Sequence, residues 1–227
     1  VEDGVADIGI IGENVLVEYQ KDVDLKLRLG FSKCRLSIGI PKGDSYNGIK
    51  DLDGKDIATS YPNLLGSYLK ENGVSANIHV ITGSVEIAPS IGLADAVCDI
   101  VSSGSTLVAN GLKEAEKIFH SEAILVANKG MKAEKTAILD SLLFRMQAVM
   151  SAKNTKYIVL NAPNKAVDAI CALLPGVNSP SIVALKKEGW SAISSVVNEN
   201  EFWEIVDQVR DFGAEGLLVL PIEKIIQ

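Results

Sequence analysis

Short apolar runs, each closed by a glycine or a polar turn, set the rhythm of the first two thirds of the chain. Ala6–Ile11 reads as a buried strand ending at Gly12, and Glu13–Glu18 as a short helix. Leu36–Ile40 predicts a strand stopped by Pro41-Lys42-Gly43-Asp44, and Asp56–Thr59 a shorter one. Ser60 or Tyr61 can then cap a helix with Pro62 in its first turn and Gly73 beyond its end. Ile78–Ile81 and Val97–Val101 are further strands, the second followed by the turn Ser102-Ser103-Gly104-Ser105-Thr106 and a helix from Leu107. Strand, short loop and helix in repetition predict an α/β unit with a mainly parallel sheet under covering helices.

The rhythm then changes. Ala133–Ala152 predicts one long helix, with Ile138, Leu142, Met146 and Val149 as its apolar stripe. Lys153-Asn154-Thr155 ends it, and a domain boundary is expected there, giving domains 1–154 and 155–227. Beyond it come a strand at Tyr157–Leu160 and a helix at Lys165–Leu174 stopped by Pro175-Gly176. Strands at Ser181–Leu185 and Ala192–Val197, a helix at Asn200–Phe212 closed by Gly213, and a strand at Gly216–Leu220 complete the chain. The order βαββαβ is that of a ferredoxin-like domain, a plan that hosts many functions. Added to an α/β unit, it suits small-molecule sensing. Trp190 and Trp203 are expected to pack within it.

Composition removes several classes of function. The 227 residues carry 29 acidic against 22 basic side chains, a formal net charge of −7, and no basic run of the kind nucleic acid attracts. No apolar stretch reaches the roughly 18–20 residues that span a bilayer. Three widely spaced cysteines, Cys34, Cys98 and Cys171, make no disulfide framework and point to a reducing cytosol. His79 and His120 stand too far apart for a metalloprotease motif. The chain opens at Val1 and runs at once into a strand, so a segment ahead of it is expected.

The sharpest chemistry lies in Val97–Thr106. A strand carries Asp99 near its end, and four hydroxyl residues surround Gly104 in the turn. Backbone N–H groups at such a turn are free donors, and glycine lets backbone approach an anion closely. Ser102, Ser103, Ser105 and Thr106 add hydroxyl donors, while Asp99 can accept from two neighbouring ribose hydroxyls. That is the logic of a 5-phosphoribosyl site; the turn has no Gly-Lys-Ser/Thr and is not a Walker loop. A polar β–α turn whose hydroxyls merely cap a helix accounts for the same residues. Asp95 and Asp99, four apart, share a face in strand or helix, as a catalytic or a solvated pair. Ala58–Leu65, the Gly12-Glu13-Asn14 turn and Gly83–Glu86 are further strand ends that line a ligand or simply cap. Gly9 and Gly12 do not make a dinucleotide fingerprint.

Five stretches in order carry a resemblance over essentially the whole chain: Val5–Leu16, Cys34–Ser37, Ile57–Leu65, Gly83–Pro89 and Gly92–Leu107. Together they resemble the ATP phosphoribosyltransferase family, which opens histidine biosynthesis. The last stretch is similar to the family's phosphoribosyl-pyrophosphate signature, with Ser102-Ser103-Gly104-Ser105-Thr106 in place of the usual Ser-Thr-Gly-Ala-Thr. The resemblance implies a catalytic unit of two α/β lobes, like a type II periplasmic binding protein. It further implies an added ferredoxin-like regulatory domain, hence the long form of the enzyme, and an N-terminal stretch ahead of Val1 with basic residues for ATP.

What the resemblance implies for the reaction is transfer of the phosphoribosyl group of phosphoribosyl pyrophosphate to N1 of ATP, with magnesium on the pyrophosphate and histidine as feedback inhibitor. It places Ser102, Ser103, Gly104, Ser105 and Thr106 on the 5-phosphate, Asp99 on the ribose with Asp95 nearby, and Gly12, Glu13, Asn14, Ser60, Tyr61, Ser84 and Glu86 on the ATP side. Asn161, Ser179 and Ser181 are the expected histidine contacts. A homo-oligomer, dimer to hexamer, in the cytoplasm is implied as well. Two other classes share the fold: a two-lobe binding protein without chemistry, and an amino-acid sensor with a degenerate catalytic unit. Loss of Asp99 or of the hydroxyl turn would favour the sensor, and both are intact.

Overall fold

A computed structural model describes residues 1–174, 176–177 and 179–226. Within them the chain forms two compact units, Val1–Thr136 and Ala137–Gln227. Pro175, expected as a helix stop, lies outside the described residues.

The first unit holds two sheets. Strand β1 (Ile8–Gly12), helix α1 (Glu13–Tyr19) and strand β2 (Asp24–Arg28) open it, followed by the eight-residue β3 (Cys34–Pro41). Then come β4 (Asp56–Thr59), α2 (Pro62–Glu71), β5 (Asn77–Val80), β6 (Ala96–Val101), the short α3 (Ser105–Ala109), β7 (Leu112–Ser121) and β8 (Ala123–Ala127). The small sheet has the order β1-β8-β2 and the larger one β5-β4-β6-β3-β7.

The larger sheet is mixed rather than mainly parallel. β4 runs parallel to β5 and β6, where helical connections return the chain, but β3 pairs antiparallel with both β6 and β7. In the small sheet both pairings are antiparallel. β7 and β8 are separated by Glu122 alone, yet belong to different sheets, so one extended run of chain serves both. Leu36, Ile38, Ile57 and Leu65 form the core on the α2 side of the larger sheet. Val85, Val97, Val101 and Leu107 form the core on its other face.

Helix α2 begins as expected at Pro62, but its cap comes from elsewhere. The carboxylate of Glu18, at the end of α1, accepts from the backbone N–H groups of Asn63 and Leu64, both at 2.9 Å. Asn63 Nδ2 returns a bond to the Glu18 carbonyl, also at 2.9 Å. Glu18 is only 2% exposed. A buried carboxylate needs such donors, and a helix N-terminus has unpaired ones.

The second unit takes in most of α4 (Ala133–Ala152) and the body that begins at Thr155. The expected boundary at Asn154 is the far end of α4, whereas the compact units divide near its start. β9 (Thr155–Pro163), α5 (Val167–Leu173), β10 (Ser181–Ala184), β11 (Trp190–Asn198), α6 (Glu199–Asp211) and β12 (Glu215–Pro221) give an antiparallel sheet of order β10-β11-β9-β12. This is the ferredoxin-like arrangement, with Ile158, Leu160, Ile170, Ile193, Phe202 and Val209 in its core. Asn198 caps α6 by accepting from the N–H of Asn200 at 3.0 Å. Trp203 does not pack inside; it is exposed, edge-on to Phe202. The stripe expected on α4 is at the surface too. Ile138, Leu142 and Val149 are exposed, and the buried residues are Leu139, Ala148 and Ala152.

Replacing Glu18 by Gln removes the charge and one of the two acceptors that meet α2. The expected loss is about 1–3 kcal/mol of stability, read as a lower urea midpoint with an unchanged slope.

Candidate active site

Strand β6 rises through the buried Ala96, Val97 and Cys98 and delivers Asp99 near its end, where the chain turns into α3. Glu86, Asp99, Ser102, Ser103, Gly104 and Thr106 line one hollow of about 170 Å³. Gly104 makes the turn at φ +84°, a left-handed conformation that other residues adopt only with strain. Ser105 joins the group through its hydroxyl, 2.9 Å from that of Ser103. The N–H groups of Ser103 and Gly104 find no acceptor among the described residues. Helix α3 has only five residues, so its dipole adds little; the donors are the amides and hydroxyls of the turn itself.

Burial raises the pKa of Asp99, and the nearby charge of Glu86 raises it further, against one hydrogen bond from the N–H of Ile100 at 2.8 Å. A basic, partly dehydrated carboxylate of this kind is a strong acceptor for sugar hydroxyls. Tyr61 lies within reach of the same charge: burial first and Asp99 next raise its phenol pKa, while an Asn14 Nδ2 bond to the phenol oxygen at 3.1 Å lowers it. Asn14 is held in turn by Ser121, whose hydroxyl donates to Asn14 Oδ1 at 2.8 Å and accepts from its N–H at 3.0 Å.

The remaining expected residues divide. Asp95 precedes β6 at its opposite end, about 13 Å from Asp99 at strand spacing. It accepts from the N–H of Asp56 at 3.0 Å and lies 3.6 Å from Lys55. The two carboxylates therefore form no pair, because strand length separates what shared facing would join. Gly12 supplies the turn into α1, and Glu13 is engaged by both terminal nitrogens of Arg28. The Ser60 hydroxyl donates to the Ile81 carbonyl at 2.6 Å, joining the ends of β4 and β5. Ser84 is exposed at φ +51° ahead of a short 3-10 turn and makes no side-chain cap.

In the second unit Asn161 and Ser181 point from the same open face of the sheet, on β9 and β10 with β11 between them. At ordinary strand spacings they are about 12 Å apart, beyond direct contact with one another. Ser179 lies close to Gly176, which adopts φ +66°: a Cβ there would stand 3.2 Å from the Ser179 carbonyl oxygen.

Sequence reasoning missed one cluster beside the hollow. Arg35 on β3 grips the Glu114 carboxylate with Nε and Nη2, the latter at 2.6 Å, and donates from Nη1 to the Ser102 carbonyl at 2.9 Å. Ser37 donates to the same carboxylate at 2.8 Å, and Glu114 is driven down to a pKa of about 2, chiefly by Arg35. A charged residue inside the apolar run Cys34–Ile40 was the available signal. Its partner lies in a charge-rich segment to which no element was assigned.

Comparison with known proteins assigns this architecture. The family model described as ATP phosphoribosyltransferase matches residues 1–148, and that described as HisG, C-terminal domain, matches residues 152–224. The chain belongs to the ATP phosphoribosyltransferase family. Similar relatives include ATP phosphoribosyltransferase of Cytophaga hutchinsonii, 61% identical over the whole chain and 79% of the relative's length. That of Bacteroides fragilis is 56% identical over 80% of its length. A solved ATP phosphoribosyl transferase (HisG:HisZ) complex from Thermotoga maritima is 34% identical, with a TM-score of 0.57, over 66% of this chain and 72% of that one. XAC2383 from Xanthomonas citri, 13% identical with a TM-score of 0.50, shares the fold over 63% of this chain and 64% of its own. The enzyme is thus a pentosyltransferase of histidine biosynthesis, with an α/β catalytic unit and a ferredoxin-like C-terminal domain.

The raised pKa of Asp99 has a stability consequence. The folded state holds its proton more tightly than the unfolded chain, so ionisation subtracts stability as pH climbs from 3.8, the ordinary aspartate value, through the raised one. Asp99→Asn, which keeps the acceptor for Ile100, should raise the thermal midpoint at neutral pH while weakening substrate binding. Melting curves from pH 3 to 8 would show the gap between variant and parent opening over that window and then staying constant.

Proposed function

We propose that the hollow at the end of β6 binds the 5-phosphoribosyl group of phosphoribosyl pyrophosphate and presents C1 of the ribose to N1 of the adenine of ATP. The N1 lone pair forms the new bond to C1 as the C1–O bond breaks, and that electron pair departs with pyrophosphate. Phosphoribosyl-ATP is the product. N1 carries its own lone pair, so no general base is needed. One observation carries the reading: Asp99 and the hydroxyl turn share a single hollow, a ribose acceptor beside phosphate donors.

The residues divide the work as follows. Amides and hydroxyls of Ser102–Thr106 hold the 5-phosphate, and Asp99 accepts from the ribose hydroxyls. Substrate is thereby fixed in orientation before charge develops, the main source of rate in such a transfer. The Asn14–Tyr61 pair, Glu86, Gly12, Glu13, Ser60 and Ser84 are the residues assigned to ATP. No group of three His, Cys, Asp or Glu gathers among the described residues. Asp99 and Glu86 fit magnesium that arrives on substrate phosphates, which commonly needs only one or two carboxylates. Bound there, the ion would neutralise charge on the leaving pyrophosphate.

Histidine is the proposed feedback inhibitor, held in the second unit near Asn161, Ser179 and Ser181. Self-association, from dimer to hexamer, would couple the two sites. The exposed apolar residues of α4 and of the open sheet face, among them Ile138, Leu142, Tyr157 and Leu218, support it. A cytoplasmic location suits the free cysteines; among the described residues no helix is long and apolar enough to cross a membrane.

A transfer assay on the protein in its natural length, with ATP, phosphoribosyl pyrophosphate and magnesium, should release pyrophosphate and be suppressed by histidine. Asp99→Ala and Thr106→Val should abolish binding of phosphoribosyl pyrophosphate while leaving histidine binding unchanged. Unaltered affinity for the sugar phosphate in both variants would overturn the site assignment.

A further inference from the structure

We propose that Arg35 is a positioning residue for the phosphate turn: held by Glu114, it fixes the Ser102 carbonyl and so aims the Ser103 N–H into the hollow. The inference rests on the reading of that turn as the 5-phosphate site.

In a trans peptide the C=O of one residue and the N–H of the next point to opposite sides. The Ser102 carbonyl accepts from Arg35 Nη1 at 2.9 Å, and Arg35 is not among the residues lining the hollow. The Ser103 N–H therefore points the other way, and it has no acceptor among the described residues. The turn that follows passes through Gly104 at φ +84°, braced by the Ser103 hydroxyl on Ser105 and by the Val108 N–H on the Gly104 carbonyl at 3.1 Å. Rotation of the Ser102–Ser103 peptide, about ψ of Ser102 and φ of Ser103, would break the Arg35 bond. If the Ser102–Ser103 peptide rotated, a carbonyl oxygen would face the phosphate where a donor belongs.

Arg35 is itself immobilised. Nε and Nη2 take the two oxygens of Glu114, leaving Nη1 as the one arm aimed at the turn. Ser37, two residues along the same strand, donates to the same carboxylate. Glu114 stays ionised across the physiological range, because Arg35 holds its pKa down at about 2. A planar fork with two acceptors on one edge and a third beside it suits arginine; a lysine ammonium can keep the charge but not the geometry.

The test is steady-state kinetics on the protein in its natural length with three variants. Arg35→Gln should raise KM for phosphoribosyl pyrophosphate roughly tenfold, the worth of one misdirected donor, with KM for ATP within about twofold. Arg35→Lys should recover part of the difference. Thr106→Val serves as the control on the site itself. If Thr106→Val leaves KM for phosphoribosyl pyrophosphate unchanged, the reading of the turn fails and this inference with it. If Thr106→Val raises that KM but Arg35→Gln does not, or moves both KM values together, the positioning role alone is overturned. Should Arg35→Gln not fold, Glu114→Gln, which loosens Arg35 without vacating its place, should shift the same KM in the same direction; no shift there would overturn the proposal equally.

Discussion

A carboxylate with almost no solvent, Glu18, is what much of the first unit is arranged around. Its two oxygens close the first turn of α2, so α1 and α2 cannot separate without stranding a buried charge. From that contact the path to the hollow is short. α2 begins immediately after Tyr61, the Tyr61 phenol accepts from Asn14 on α1, and Asn14 is clasped by Ser121 on β7. Each link is a hydrogen bond between groups that would be costly to bury alone. The result is that Tyr61, just past the end of β4, is held near Asp99 on the neighbouring strand β6.

The larger sheet also shows how one scaffold sets two carboxylates to opposite tasks. Asp99 pairs across strands with Ser37, and Ser37 donates to Glu114, so the two acids are near neighbours on the sheet. Glu114 meets a guanidinium and is a fixed charge; Asp99 meets a single amide and a neighbouring acid and is left wanting donors. The first is held within the fold, and the second faces a hollow with acceptor capacity to spare. A structure that satisfied Asp99 internally would be more stable and less useful.

Much of the fold was legible because its elements obey local rules. β4 and α4 have the bounds that apolar patterning and turn residues predict, and the ferredoxin-like body follows from its alternation. β7 was not legible: Lys113, Glu114, Glu116 and Lys117 hide a strand whose place is decided by β3 beside it, not by its own periodicity. The antiparallel setting of β3 was hidden for the same reason, since pairing is a long-range choice. That Asp99 and the hydroxyl turn share one hollow follows from their being nearly consecutive in the chain. Asp95 could not be excluded from spacing, as facing is local but distance along a strand is not. Glu18, Arg35 and Glu114 act across 45, 67 and 79 positions, and nothing in the immediate neighbourhood of any of them announces its partner.

Glu122, the lone residue between β7 and β8, has a mechanical meaning. Here the chain leaves one sheet for the other, and a few ångströms away the segment between β2 and β3 makes the reverse passage. The two passages are pinned together: the Glu122 carboxylate accepts from the Gly30 N–H at 2.8 Å, and its carbonyl from the Glu13 N–H at 3.0 Å. Two straps running in opposite directions are bonded side by side, since both backbone groups of Ala123 also pair with Leu29 and Phe31, at 2.9 and 3.0 Å. Parting the sheets at this edge would break all of these bonds together.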